Sequence, residues 1–428
     1  MRIGNWELRI GMEKKKLRRA SCRRDHQGQA LHILDLPIHL LSHIIATLPV
    51  SSVIRCASVC ASFRAIVSDP RFRYLYVSRA PASFLLLSDR DRTRLLCLHS
   101  WGSASFLTPH SSSSLASIHP NRSRNRNLTA KSRSRSKSSS MFELKLKKDL
   151  ELVNSSEGLV CLRGSGCVYY VCNPLLGEIL QLPPPPTTTT ESLAFSAFGY
   201  DTLSKRYKIF QFANQFVAEL YTLGDHAWTT IRTASALPAS MPNASFDPSL
   251  NGALHWPGIT TCISQLICSF DLRTNKFKWI PPPPDLDIDS LSGITLGVLK
   301  GCLCLCFVVP AANRFETWFM KDYGVQQSWT LSFYIDINSY CGLRLLDRHR
   351  PIAFTNNGDM WLKDGSVSDS YSLVSYTPQT GSFKLIHTPK VSRMQAIPHV
   401  LSFVSLKDIV NLSGTHLSLH TLTVKSYW

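Results

Sequence analysis

Long apolar runs are missing from this 428-residue chain. The longest, Cys302 to Val309, spans eight residues, too few to cross a bilayer, so no transmembrane helix is expected. Residues 1–30 also lack the apolar stretch of a signal peptide. Catalytic signatures are missing as well: there is no P-loop, dinucleotide fingerprint, H-E-x-x-H or G-x-S-x-G, and the 14 His are dispersed. The expectation is a chain that is not an enzyme and has no cofactor or metal. Thirteen cysteines at scattered spacings, without a secretory signal, favour reduced thiols in the cytosol or nucleus. A hydrophobic content of 44% with 18% charged residues describes a globular protein.

Acidic residues are scarce, 29 against 47 Lys and Arg, for a net charge of +18. The excess is local. Residues 1–30 carry a net +6 and residues 111–140 a net +7, which leaves +5 for the other 368. The remainder is only mildly basic and implies no folded nucleic-acid surface. Lys14-Lys15-Lys16-Leu17-Arg18-Arg19 with Arg23-Arg24 is dense enough for a nuclear import signal, or it is a solvated, disordered tail. The stretch at 109–140 alternates Ser with Arg or Lys, has almost no apolar residues, and reads as a disordered insertion whose serines are open to phosphorylation or whose charge attracts RNA.

Residues 34–72 have the opposite character. Leu36-Pro37 opens a helix with Asp35 as a cap, and Leu40, Leu41, Ile44, Ile45 and Leu48 make one wide apolar stripe along it. Pro49 stops that helix. Ser51 or Ser52 caps a second one carrying Val53, Ile54, Ala57, Cys60 and Phe63, closed by Asp69-Pro70. Two helices this short cannot bury both apolar faces within themselves, so one face is expected to dock on something else.

The run Leu36-Pro37, Leu40-Leu41, Ile44, Leu48-Pro49-Val50, Arg55, Val59-Cys60, Phe63-Arg64 and Asp69-Pro70-Arg71-Phe72 resembles the F-box, which inserts into the Skp adaptor of cullin-based ubiquitin ligases. The Trp usual near the end of that motif is Phe63 here, which keeps most of the buried area. By resemblance, Leu36, Pro37, Leu40, Leu41, Ile44, Leu48, Pro49, Val59, Cys60 and Phe63 are the adaptor-contact or motif-core candidates, with direct contacts and supporting core not separated.

From about residue 82 the pattern turns strand-like and repeats. A Gly opens a strand, another ends near Asn, Asp or Thr-Pro, and an aromatic strand runs into prolines, as from Asn173-Pro174 to Leu182-Pro183-Pro184 or from Asp271 to Trp279-Ile280-Pro281-Pro282. Turn anchors near 173, 222, 271, 321 and 377 are spaced by about 49, 49, 50 and 56 residues, a period in the range of propeller blades. A sixth unit is expected from Phe84–Leu87 and Leu95–Leu98, interrupted by the Ser/Arg-rich insertion and resumed at Gly158-Leu159-Val160-Cys161. Phe198-Gly199-Tyr200-Asp201 with Tyr207-Lys208-Ile209, Asn251-Gly252-Ala253-Leu254-His255-Trp256 and Leu401–Leu406 resemble the F-box-associated or kelch-type propeller of plant F-box proteins, although the Gly-Gly doublets of kelch repeats are missing.

Two residue sets invite other readings. Cys302, Cys304 and Cys306 share one strand face, but no second ligand pair is evident, so a packed face is expected rather than a zinc site. Trp228, Trp279 and Trp329 fall near one phase of successive units and are expected between blades, whereas Trp256 could end a strand beside a loop and touch a ligand.

The expected architecture is thus α+β and multidomain: a basic tail (1–30), a helical F-box (31–76), and an all-β propeller of about six blades (80–427) with the insertion at 109–140. The resemblance implies the substrate-recognition subunit of an SCF-type ligase. Its F-box would dock on a Skp adaptor joined to a cullin–RING scaffold, and its propeller would hold a protein target in the nucleus or cytoplasm. The alternatives are an adaptor-binding regulator without ligase output, or a nuclear RNA-associated protein acting through the basic segments.

Overall fold

The computed structural model describes residues 33–79, 82–88, 94–98, 140–146, 150–187, 195–233, 248–258, 262–336, 350–354, 358–364, 372–386, 394–413, 418–422 and 424–426. The basic tail, and the Ser/Arg-rich insertion except its last residue, lie outside them.

Four short helices come first: α1 (Ile38–Ile45), α2 (Val50–Val59), α3 (Ala61–Ser68) and α4 (Pro70–Val77). The expectation of two helices is corrected in three places. Pro37 and Pro49 are the N-cap residues of α1 and α2, so Asp35 lies outside α1 and Ser51 and Ser52 lie within α2. Cys60 is extended, at φ −153°, and breaks the second helix in two. Its thiol accepts the Phe63 N–H at 3.5 Å, and so it caps α3. Asp69 caps α4, accepting the Arg71 N–H at 2.7 Å, with Pro70 in the first turn where its missing N–H costs nothing.

Strands follow in chain order. β1 (Ala82–Ser88), β2 (Arg94–Leu98) and β3 (Ser140–Lys145) precede β4 (Leu150–Ser156), β5 (Leu159–Gly164), β6 (Tyr169–Asn173) and β7 (Glu178–Gln181). Next are β8 (Ser196–Asp201), β9 (Arg206–Asn214), β10 (Val217–Thr222) and β11 (Thr229–Arg232), then β12 (Ser249–Leu250), β13 (Ala253–Pro257), β14 (Ile267–Asp271) and β15 (Lys276–Ile280). Two further quartets are β16 (Ser292–Leu299), β17 (Cys302–Val309), β18 (Arg314–Met320) and β19 (Trp329–Asp336), and β20 (Arg350–Phe354), β21 (Met360–Asp364), β22 (Ser372–Thr377) and β23 (Ser382–Ile386). β24 (Met394–Val400), α5 (Leu406–Ser413), β25 (Ser418–Thr421) and β26 (Val424–Ser426) complete the described chain.

These strands form six antiparallel sheets. Their inner strands β24, β4, β8, β12, β16 and β20 meet in that cyclic order, which closes a β-propeller. The anchors near 173, 222, 271, 321 and 377 mark the same place in five sheets, the turn after the third strand. The turn after the inner strand repeats too: Glu157-Gly158, Asn251-Gly252 and Lys300-Gly301 all hold left-handed pairs, the geometry of a two-residue hairpin.

The sixth sheet departs from expectation. β1 and β2 do pair, but Gly158–Cys161 belongs to the next sheet, and the inner strand beside β1 is β24, more than 300 residues downstream. β26 adds to β3 and β25 to β7, so the C-terminal strands cover two outer edges. Gly158 sits against this closure at φ +80°, where a Cβ would run into the Ser402 side chain and lie 3.1 Å from the Val400 carbonyl. Gly158→Ala is expected to cost roughly 2–4 kcal/mol, from left-handed strain plus overpacking, and thermal melts check it.

Between blades the packing is aromatic and aliphatic, with a few fixed polar ties. The Asn154 amide bonds the Phe198 carbonyl and accepts the Phe198 N–H, both at 2.7 Å, so it extends one blade onto the next. Trp228 Nε1 donates to the Pro183 carbonyl at 2.9 Å and Trp329 Nε1 to the Pro281 carbonyl at 2.8 Å, the same inter-blade bond made twice.

Two buried histidines report on this packing. His255 reaches the Pro248 carbonyl at 3.1 Å and the Tyr323 hydroxyl at 2.7 Å, and burial depresses its pKa to about 4. His399 lies 2.7 Å from Ser155 Oγ, and burial depresses its pKa to about 3. Both folded values lie below the unfolded value of about 6.5, so the stabilisation is complete above pH 6.5 and is lost as pH falls from there toward 4. Each His is expected to remove about 1.4 kcal/mol per pH unit in that window. Denaturant midpoints that stay flat between pH 6.5 and 4.5 would contradict the neutral, buried state.

Candidate functional site

The N-terminal helices have two faces with opposite fates. Leu41 and Ile45 turn inward and pack with Val50, Val53, Phe63, Ile66 and Val67. Outward stand Leu36 (40% exposed), Ile38 (71%), Leu40 (44%) and Ile44 (46%), with Val59 (72%) at the end of α2. Leu40 and Ile44 lie four residues apart on α1 and so share one flank, with Leu36 exposed just ahead of the helix. Side chains of this size are seldom left in water in such density unless a partner covers them.

This divides the ten candidate residues. Leu36, Pro37, Leu40, Ile44, Pro49 and Val59 are exposed, Leu48 and Cys60 are half-buried, and Leu41 and Phe63 lie in the core. Phe63 therefore supports the exposed ridge from beneath. No donor is needed at its site for the packing observed, which is how Phe serves where the motif usually has Trp.

The core under the ridge does not end with the helices. One apolar cluster runs from Leu41 and Val53 through Phe72 and Tyr76 into Leu85, Leu150, Leu162, Leu401 and Phe403 of the propeller. The Phe403 ring lies 5.1 Å from Tyr76, edge-on, and 6.2 Å from Phe72. Burial raises the Tyr76 pKa to about 12. The Tyr74 and Tyr200 hydroxyls bond each other, Lys205 Nζ sits 5.4 Å over the Tyr74 ring, and Arg73 pairs with Asp408 of α5 at 2.6 Å. Glu178 holds α5 in place, accepting the Leu406 N–H at 2.7 Å. The ridge is thus mounted on the propeller through a packed joint.

That joint was not foreseen. Its one sequence signal is the aromatic run Phe72, Tyr74, Tyr76, whose partners Tyr200 and Phe403 fall in two stretches singled out for other reasons. Trp256 lies within β13 and is fully buried among Phe195, Phe210 and Phe212, so it does not end a strand beside a loop. Trp228 and Trp329 lie between blades as expected, but Trp279 is 43% exposed. Cys304 and Cys306 are buried with sulfurs 3.6 Å apart, and among the described residues no group of three or more His, Cys, Asp or Glu could hold a metal ion.

Comparison with known proteins gives two family matches. Residues 33–75 match the F-box domain, and residues 107–409 match the F-box associated beta propeller domain. An F-box/kelch-repeat protein of Arabidopsis thaliana is 25% identical over 354 residues, covering 78% of this chain and 84% of its own length. A second F-box protein of that plant is 25% identical over 397 residues, covering 82% and 87%, and its F-box protein CPR1 is 23% identical over 399 residues with the same coverage.

Proposed function

The chain belongs to the F-box proteins that carry an F-box associated beta propeller domain, and from that premise we propose that it is the substrate receptor of an SCF-type ubiquitin ligase. The ridge of Leu36, Ile38, Leu40, Ile44 and Val59 docks on a Skp adaptor, and the propeller holds a protein target. The observation that carries this reading is the exposure of these five large aliphatic side chains, with Ile33 (51%) beside them, on a helical unit whose other face is packed. Complete burial of such a side chain contributes up to roughly 1.5–3 kcal/mol, enough for several together to offset the cost of association.

In this reading the chain makes and breaks no bonds. It supplies proximity, raising the effective concentration of the target's lysines near the activated ubiquitin. The packed joint supports that role, because a receptor that swings freely dilutes the lysines over a larger volume. The test uses proteins retained by the propeller as targets, with purified adaptor, cullin–RING scaffold, conjugating enzyme and ubiquitin. Ubiquitin transfer to a retained protein is expected with wild type and not with Leu36→Ala/Pro37→Ala. Retained proteins that never gain ubiquitin would instead favour adaptor binding without ligase output.

A further inference from the structure

A groove of about 540 Å³ opens along the outer seam between the blade of β12–β15 and the blade of β16–β19. It is lined by Trp279, Pro281, Pro282, Pro283, Asp285 and Gln326, with Ile263, Ser264 and Leu286 at its margins. Trp329 occupies the equivalent inter-blade contact here, its Nε1 bonding Pro281, which leaves Trp279 with its ring part-exposed in the groove.

The polar inventory of this groove leans toward acceptors, with the Trp279 indole N–H, the Ser264 hydroxyl and one Gln326 N–H as its side-chain donors. Pro281 to Pro284 supply no backbone N–H at all. The Gln326 amide gives one N–H to the Pro282 carbonyl at 3.2 Å and keeps its oxygen, beside its second N–H, to offer. Asp285 adds an exposed carboxylate, and Asp287 and Asp289 follow it on the same exposed stretch. The neighbouring cation, Lys278, alternates to the other face of β15 and faces Asp271 at 3.9 Å. In a chain of net charge +18, this is a local concentration of acceptors and negative charge beside an exposed indole.

We propose that this groove binds an extended, Arg- or Lys-bearing segment of a partner protein, with the cation over the Trp279 ring and facing Asp285. The assignment rests on the receptor reading above and names the chemistry of what is captured. A donor-rich cation suits an acceptor-lined aromatic groove through both cation–π attraction and charge, whereas an acidic segment would meet acceptors and carboxylates.

The test is fluorescence anisotropy of the full-length protein with a fluorescein-labelled peptide of sequence Gly-Ser-Arg-Gly-Ser-Arg-Gly, beside its Arg-to-Gln counterpart. Trp279→Ala is expected to weaken binding about tenfold and Asp285→Asn about threefold, with no binding of the Gln peptide. Asp285 holds φ +58°, which Asn tolerates, so this second variant removes charge without disturbing the backbone. Unchanged affinity in both variants would overturn the proposal. So would a gain of more than about tenfold on deleting residues 109–138, since the chain's own basic segment would then be the occupant. Adaptor co-purification is expected to be unchanged in both groove variants and peptide binding unchanged in Leu36→Ala/Pro37→Ala, so failure of the groove and failure of the receptor reading give different results.

Discussion

Leu40→Asp and Ile44→Asp are each expected to weaken binding to a purified Skp adaptor by roughly 100-fold or more, with little change in melting temperature. Both side chains are about half exposed, so a carboxylate there remains hydrated in the free protein. On docking it would be buried opposite apolar groups without a partner, and that desolvation sets the loss. Leu41 provides the contrast. It is 2% exposed, and Leu41→Ala should cost about 2–5 kcal/mol of stability by opening a cavity, lowering the melting temperature before any effect on docking is read. Titration calorimetry beside thermal melts separates the two classes. If the Asp variants bind normally, the ridge is not the docking face; if they melt like Leu41→Ala, they are core residues and the assignment of faces is wrong.

Phe72→Ala should be among the most damaging single changes to the fold, at about 3–5 kcal/mol. Its ring is buried between Tyr76 and Phe403, in the cluster that joins helices and propeller. Phe403→Ala approaches the same cluster from the propeller side. Because the two rings share neighbours, the double variant should lose less than the sum of the singles. Denaturant unfolding monitored separately in the helices and in the propeller should show one transition in wild type and two in Phe72→Ala. Two transitions already in wild type would mean that the joint does not couple the parts, and the account of a fixed mount would fail.

Much of this architecture was legible because it is encoded locally. Asn173 and Asp271 stand where a short polar side chain takes the N–H groups of a tight turn: Asn173 those of Leu175 at 2.9 Å and Leu176 at 3.2 Å, Asp271 those of Arg273 and Thr274, both at 2.9 Å. The helical ridge was legible for the same reason, since Leu40 and Ile44 need only helical spacing to share a flank, although Leu36 falls just ahead of α1. What escaped depends on partners distant in the chain. The blade of β1–β3 takes its inner strand from β24, and nothing near residue 82 announces that. The joint pairs Phe72 with Phe403 and Tyr74 with Tyr200, contacts that no periodicity encodes. The break at Cys60 was missed because cysteine is not a helix breaker; its role as a cap depends on an extended backbone and a thiol turned to the Phe63 N–H. Trp279 was misplaced because its phase matches that of the buried tryptophans, while its position four residues into β15 puts the ring at the seam's outer rim.

The central claim, that the exposed ridge at the start of α1 docks on a Skp adaptor, is tested most directly by affinity purification of the tagged full-length chain, wild type beside Leu36→Ala/Pro37→Ala, with mass spectrometry of the retained proteins. The account predicts a Skp adaptor and a cullin with wild type alone, and a shared set of propeller-bound proteins with both. A Skp adaptor retained equally by the double variant, or absent from both samples while the chain is folded, would contradict it.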